Sequence, residues 1–168
     1  MKILIAIDFS LIGSKAAQAG YKLARYMGAD VTFVHATPAY SSTLLHYNFR
    51  FFIEPDTQKT EDDVRAKAEE EIKKMIDDMK KEFGDLPEGC KCDVLVNAAE
   101  TGADEILKVA DEIKADLIVL GNSGGSTLER ELLGSTALKV MNNAKCSIML
   151  YRDDKDSTFY NSPTLHSD

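Results

Sequence analysis

The chain has 168 residues, 44% hydrophobic and 29% charged, enough for one well-buried core and short for two, so a single domain is expected. Its 28 acidic residues outnumber 20 lysines and arginines, giving a formal net charge of −8. That balance argues against a broad footprint for nucleic acid or an anionic membrane, and any anion site must be local and built from backbone donors.

The N-terminus MKILIAID lacks the uncharged core of a signal peptide, and no apolar run approaches the roughly 20 residues that span a bilayer. A soluble, cytoplasmic chain is the expectation. Cys90, Cys92 and Cys146 have no zinc-type spacing and read as reduced thiols.

Residues 3–7, ILIAI, form the near-continuous apolar run of a central parallel strand buried on both faces, and Asp8 interrupts it. From Leu11 to Met27 the positions Leu11, Ala16, Ala17, Leu23, Ala24 and Met27 fall near helical spacing, with Gly28 as the stop. Gly20 lies on that stripe and lets the helix sit close to the sheet. VTFVHA at 31–36 reads as a second strand.

Residues 37–59 carry Tyr40, Tyr47, Phe49, Phe51 and Phe52 without a sustained period. A connection this long tends to be functional, and its aromatic content predicts burial against the body, a dimer mate or a partner. Thr60 and Asp63 resemble a helix start, after which Val64, Ala68, Ile72, Met75, Ile76, Met79 and Phe83 hold one stripe until Gly84. The charges in EEEIKK and DDMKKE read as its solvated face, with some pairing four residues apart.

CDVLVNA at 92–98 is a third strand, and Thr101 or Gly102 opens a helix carrying Ile106, Val109, Ala110 and Ile113. Asp104, Glu105, Asp111 and Glu112 read as its solvated face. DLIVLG from Asp116 is the fourth strand, Ser135 to Met141 is helical, and CSIMLY at 146–151 is the fifth strand. Residues 152–168 are polar and without period, and read as a flexible tail. Strands alternating with helices predict a parallel α/β sheet with helices on both faces.

In such sheets ligands bind at the carboxyl ends of strands where the winding switches direction, the edge at which Asp8 and Gly121 stand. Gly121 and Gly124 allow left-handed backbone and close approach of a ligand to the main chain. Gly134-Ser135 begins a helix, where free N–H groups and the macrodipole favour a phosphate and the Ser135 and Thr136 hydroxyls add donors. A glycine-rich turn can equally be only a turn, Ser135 only an N-cap, and Asp8 only a cap of the helix after it. His35, at the same edge, reads as a packed histidine. The stretch is neither a Walker sequence nor Gly-x-Gly-x-x-Gly. No catalytic triad or metal-ligand pattern is recognisable.

The spacing Gly121-x2-Gly124-x9-Gly134-Ser135, preceded by DLIVLG and joined to an N-terminal ILIAIDFS, resembles the universal stress protein family from about Lys2 to Leu150. The resemblance implies a Rossmann-like domain over 1–151 of the adenine nucleotide alpha hydrolase type, with a five-stranded parallel sheet of order 3-2-1-4-5. It also implies a homodimer paired through the last strand, and binding of ATP, or ADP or AMP, with Mg²⁺ on the phosphates.

Carried over by position, Ala6, Ile7 and Asp8 border the adenine and ribose end, and Ala36 packs on the base. Leu120 and Gly121 continue the wall, Gly124 admits the ribose and α-phosphate, and Gly134, Ser135 and Thr136 hold the phosphates. Ser147-Ile148 stands where the family often has Pro-Val, and the insertion at 37–59 has no counterpart in the pattern. The function implied is that of an ATP-binding stress-response regulator whose nucleotide state alters contacts with a protein partner. The alternatives are a slow ATP hydrolase using Arg130, and an interaction module that does not use nucleotide.

Overall fold

The computed structural model describes residues 1–38, 60–122 and 134–152. Expectations that fall on 39–59, on 123–133 with Gly124 and Arg130, and on 153–168 lie outside them.

Five strands form one parallel sheet: β1 (Lys2–Ala6), β2 (Asp30–Pro38), β3 (Cys92–Ala99), β4 (Leu117–Gly121) and β5 (Ser147–Tyr151). Their order is β3-β2-β1-β4-β5, as the resemblance implied. β1 is central, pairing Ile3 with Val31 on one side and with Leu117 on the other. Ile3, Leu4 and Ile5 have no exposed surface, which is why this segment reads as an unbroken apolar run.

The first helix, α1 (Leu11–Met27), and the second, α2 (Glu61–Phe83), cover one face of the sheet. The third, α3 (Gly102–Ile113), and the fourth, α4 (Ser135–Asn143), cover the other. Ile3, Ile5, Phe33 and Val119 point to α1 and α2, while Leu4, Val34, Ile118 and Leu120 point to α3 and α4. Each fully buried aliphatic side chain contributes about 1.5–3 kcal/mol of transfer free energy.

Local signals set the boundaries. Gly28 ends α1 in the left-handed region at φ 61°. Thr60 and Asp63 form a reciprocal capping box on α2, and Gly84 closes it. Gly20 is required by packing: a β-carbon there would stand 2.9 Å from Ile5 Cδ1 and 3.2 Å from Val119 Cγ1, so α1 lies directly on β1 and β4. The α2 charges pair along its outer face, Lys73 with Glu69 at 2.6 Å and Lys81 with Asp78 at 3.0 Å.

Three expectations need correction. β2 runs to Pro38 rather than ending at Ala36, because β3 continues beside it to the pair Pro38 and Ala99, and proline is tolerated where a strand ends. Leu11 is 72% exposed in the first turn of α1 and stands outside the core that covers the stripe. β1 begins at Lys2 and ends at Ala6, although Ile7 still donates its N–H to Val34 O at 2.8 Å. All three cysteines are free thiols, and no helix among the described residues is long and apolar enough to cross a membrane.

Candidate functional site

From β1 the chain passes through α1 to β2, and from β3 through α3 to β4 on the opposite side of β1. The winding therefore reverses between β1 and β4, and the carboxyl ends of these two strands open the crevice where α/β sheets take ligands. Ala6, Ile7 and Asp8 stand at the end of β1, and Leu120 and Gly121 at the end of β4. Ala36 lies on the longer β2, opposite Asn97 of β3.

The turn after β1 is built by Phe9, a non-glycine residue in the left-handed region at φ 56°. Such backbone in a bulky residue is held by its surroundings. Its ring meets the His35 ring edge-on at a centroid distance of 4.7 Å. His35 is 5% exposed and its Nδ1 lies 2.7 Å from Ile7 O, so Nδ1 carries the proton donated to that carbonyl. Burial pushes the His35 pKa below its ordinary value, against smaller opposing effects of the Ile7 hydrogen bond and the Asp8 charge. His35 is thus the packed histidine expected, hydrogen-bonded to the Ile7 carbonyl that precedes the turn.

Ser10, not Asp8, is the N-cap of α1, its Oγ accepting from Gly13 N at 2.9 Å. Asp8 acts one step earlier: its Oδ1 accepts from Ser10 N at 3.0 Å and from Ser10 Oγ at 2.7 Å, orienting the cap. A β-carbon on Gly13 would overlap Asp8 Oδ1, so the carboxylate lies directly over the first turn of α1, where the helix dipole favours a negative charge.

Gly121 is explained by another close approach. A β-carbon there would stand 3.0 Å from Gly13 N and 3.1 Å from Gly13 Cα, so the end of β4 packs backbone to backbone against α1. The expectation of left-handed backbone does not hold for Gly121, since the positive-φ glycines among the described residues are Gly28, Gly84 and Gly89. Close approach, not an unusual dihedral, excludes a side chain.

Gly134 is the N-cap residue of α4, so Ser135 is not the cap but the first helical residue. The other three described helices have side-chain caps, from Ser10, Thr60 and Thr101, whereas α4 has none. Gly134, without a side chain, supplies no acceptor to the first amides of α4, as Ser10, Thr60 and Thr101 do to theirs. Ser135 and Thr136 are exposed and Ala137 is buried. Asn122, 5% exposed, accepts from Gly134 N through Oδ1 at 3.0 Å.

A continuous path therefore links both ends of the candidate site: Asp8 over Gly13, Gly13 against Gly121, and Asn122 holding Gly134. Of the carried-over residues, Ala6, Ile7, Asp8, Leu120, Gly121, Gly134, Ser135 and Thr136 stand at the strand ends or the α4 start. Ala36 is one strand further out, and Gly124 lies outside the described residues. The sequence reading missed Gly13 and Asn122. A glycine in the first turn of a helix is the signal for the former; no sequence signal singles out Asn122 within Gly-x2-Gly.

Near Ala36 one further expectation is corrected. Glu105 is not on the solvated face of α3: it is 4% exposed, its Oε1 accepts from Asn97 Nδ2 at 2.7 Å, and Lys108 Nζ approaches to 3.6 Å. Asn97 opposite supplies the hydrogen bond that a buried carboxylate requires. Asp104, Asp111 and Glu112 are exposed as expected.

A family model described as the universal stress protein family matches residues 1–152. A universal stress protein of Bacillus subtilis is 29% identical over 156 residues, covering 90% of this chain and 98% of that one. A universal stress protein of Methanocaldococcus jannaschii is 47% identical over 53 residues, 32% of this chain and only 31% of that protein's length. Among solved structures, the universal stress protein from Archaeoglobus fulgidus in complex with dAMP aligns with a TM-score of 0.60 at 21% identity, covering 90% of this chain and 98% of that one.

Proposed function

Because the chain belongs to the universal stress protein family, we propose that it is an adenine-nucleotide-binding member that takes ATP, with Mg²⁺ accompanying the phosphates. The observation that carries this reading is the α4 N-terminus: it has no side-chain cap, and it is tied to the end of β4 at the switch point of the sheet. A relative of the same fold is known in complex with dAMP, which favours an adenine nucleotide among possible anions.

In this reading Ala6, Ile7 and Asp8 border the adenine and ribose, with Ala36 against the base and Leu120 and Gly121 along the wall. Gly124 admits the ribose and α-phosphate. Gly134, Ser135 and Thr136 meet the phosphates with backbone amides and hydroxyls. The chain's surplus of acidic residues repels an anion at long range, so these donors carry the recognition locally.

The protein acts as a cytoplasmic homodimer whose nucleotide state alters its contacts with a regulatory partner. Support for the second copy comes from β5, the edge strand, whose residues Ile148 to Tyr151 are only partly buried, and from Leu138 and Met141 on α4, 47% and 45% exposed. An unpaired edge with apolar neighbours is a template for pairing with another strand.

Calorimetric titration with ATP and Mg²⁺ tests the nucleotide reading. Saturable binding at one site per chain supports it, and no heat of binding at millimolar ATP overturns it.

A further inference from the structure

Asn122 follows β4 directly, and its side chain and backbone are committed in different directions. Oδ1 accepts the Gly134 N–H at 3.0 Å, and its own N–H donates to Tyr151 O at 2.9 Å. Asn122 itself is 5% exposed, while Gly134 and Tyr151 are partly exposed. Asn122 thereby joins the chain on both sides of residues 123–133 to each other and to the last residue of β5.

We propose that Asn122 is the positioning residue of the phosphate end of the site. By holding Gly134 it fixes the start of α4, and so the donor amides of Ser135 and Thr136, relative to β4. By its anchor on Tyr151 it sets that geometry relative to β5. An aliphatic residue of similar volume could fill the same space, but only an acceptor oxygen at this reach can hold the Gly134 amide. The ligand class that depends on Asn122 is therefore the phosphorylated nucleotide and not the nucleoside. This inference rests on the nucleotide reading above.

The test compares wild type, Asn122→Leu and Asn122→Asp in two measurements. The first is amide hydrogen exchange of the ligand-free protein, with Gly134 protection read against core amides such as Ile5 and Val119. The second is calorimetric titration with ATP and, separately, with adenosine. In Asn122→Leu the Gly134 amide should exchange about tenfold faster with the core amides unchanged. ATP affinity should fall about tenfold while adenosine affinity stays within about twofold, the scale expected for one lost hydrogen bond.

Asn122→Asp keeps the acceptor, so it should retain Gly134 protection and adenosine affinity. Its added charge should weaken ATP alone. If the leucine variant does not fold, Asn122→Ala, which removes the same acceptor without added bulk, carries the comparison with the same expectations. Unchanged Gly134 exchange in Asn122→Leu, parallel loss of ATP and adenosine in that variant, or lost Gly134 protection in Asn122→Asp overturns the positioning role. Wild-type protein that binds neither ligand overturns the nucleotide reading itself, and the role of Asn122 in binding falls with it.

Discussion

The Asp8 carboxylate occupies the space that a β-carbon on Gly13 would need, and the same glycine is the surface against which Gly121 packs. The first contact depends on the missing β-carbon of Gly13 and the second on that of Gly121. Glycine to alanine inside a helix ordinarily stabilises by about 0.5–1 kcal/mol. Gly13→Ala should reverse that sign and destabilise by about 1–3 kcal/mol, because Asp8 and Ser10 must both shift. Urea unfolding measures it, and a gain in stability contradicts the packing described.

Gly134→Asp should separate stability from binding. The position has extended backbone at φ −57° and ψ 147°, which suits an N-cap residue, and aspartate is among the best caps. Thermal stability should hold or rise by a few tenths of a kcal/mol. If the proposed site is correct, ATP affinity should fall at least about tenfold, because the new carboxylate would stand at the proposed phosphate end. Undiminished ATP affinity in a folded variant removes α4 from the site.

His35 predicts a pH dependence of stability. Its folded-state pKa lies below the ordinary 6.5, so as pH falls through 6.5 the unfolded chain takes up a proton that the folded protein does not. Stability should therefore decline below pH 6.5, with a slope of at most about 1.4 kcal/mol per pH unit from this one group. Asp104 and Glu69, whose carboxyls their lysine partners hold low, act in a more acidic window, below 3.8 and 4.5. His35→Asn, which can still donate to Ile7 O, should flatten the decline between the two windows. An unchanged slope in that variant assigns the effect elsewhere.

The homodimer proposal makes a prediction on α4. Leu138 and Met141 are exposed, so replacing both with glutamate should change the stability of the isolated chain by no more than about 0.5 kcal/mol each. If these side chains lie beside the paired β5 edges, the variant should sediment as a monomer where wild type sediments as a dimer. A wild-type monomer, or a variant that stays dimeric, contradicts that placement.

The sheet was legible because parallel strands covered on both faces must be apolar throughout, and ILIAI and LIVL have no other use for such runs. Helix ends were legible because Gly28, Gly84 and the Thr60–Asp63 box perform their chemistry within a few residues. The polar interior was not. Glu105 stands among the exposed carboxylates Asp104, Asp111 and Glu112, and nothing within α3 marks it as buried; its partner Asn97 comes from another element. Likewise, the glycine spacing drew the proposed site to the ends of β1 and β4, but attributed to dihedral freedom at Gly121 what is contact with Gly13. Asn122 escaped notice since its role appears only when Gly134 and Tyr151, distant in sequence, come together.

The central claim is most directly tested on protein purified without added nucleotide, denatured, and analysed for released small molecules by ion-pair chromatography with mass detection. An adenine nucleotide should be released in near-stoichiometric amount, or empty protein should take up added ATP with Mg²⁺ saturably. Protein that releases no nucleotide and takes up none would contradict it.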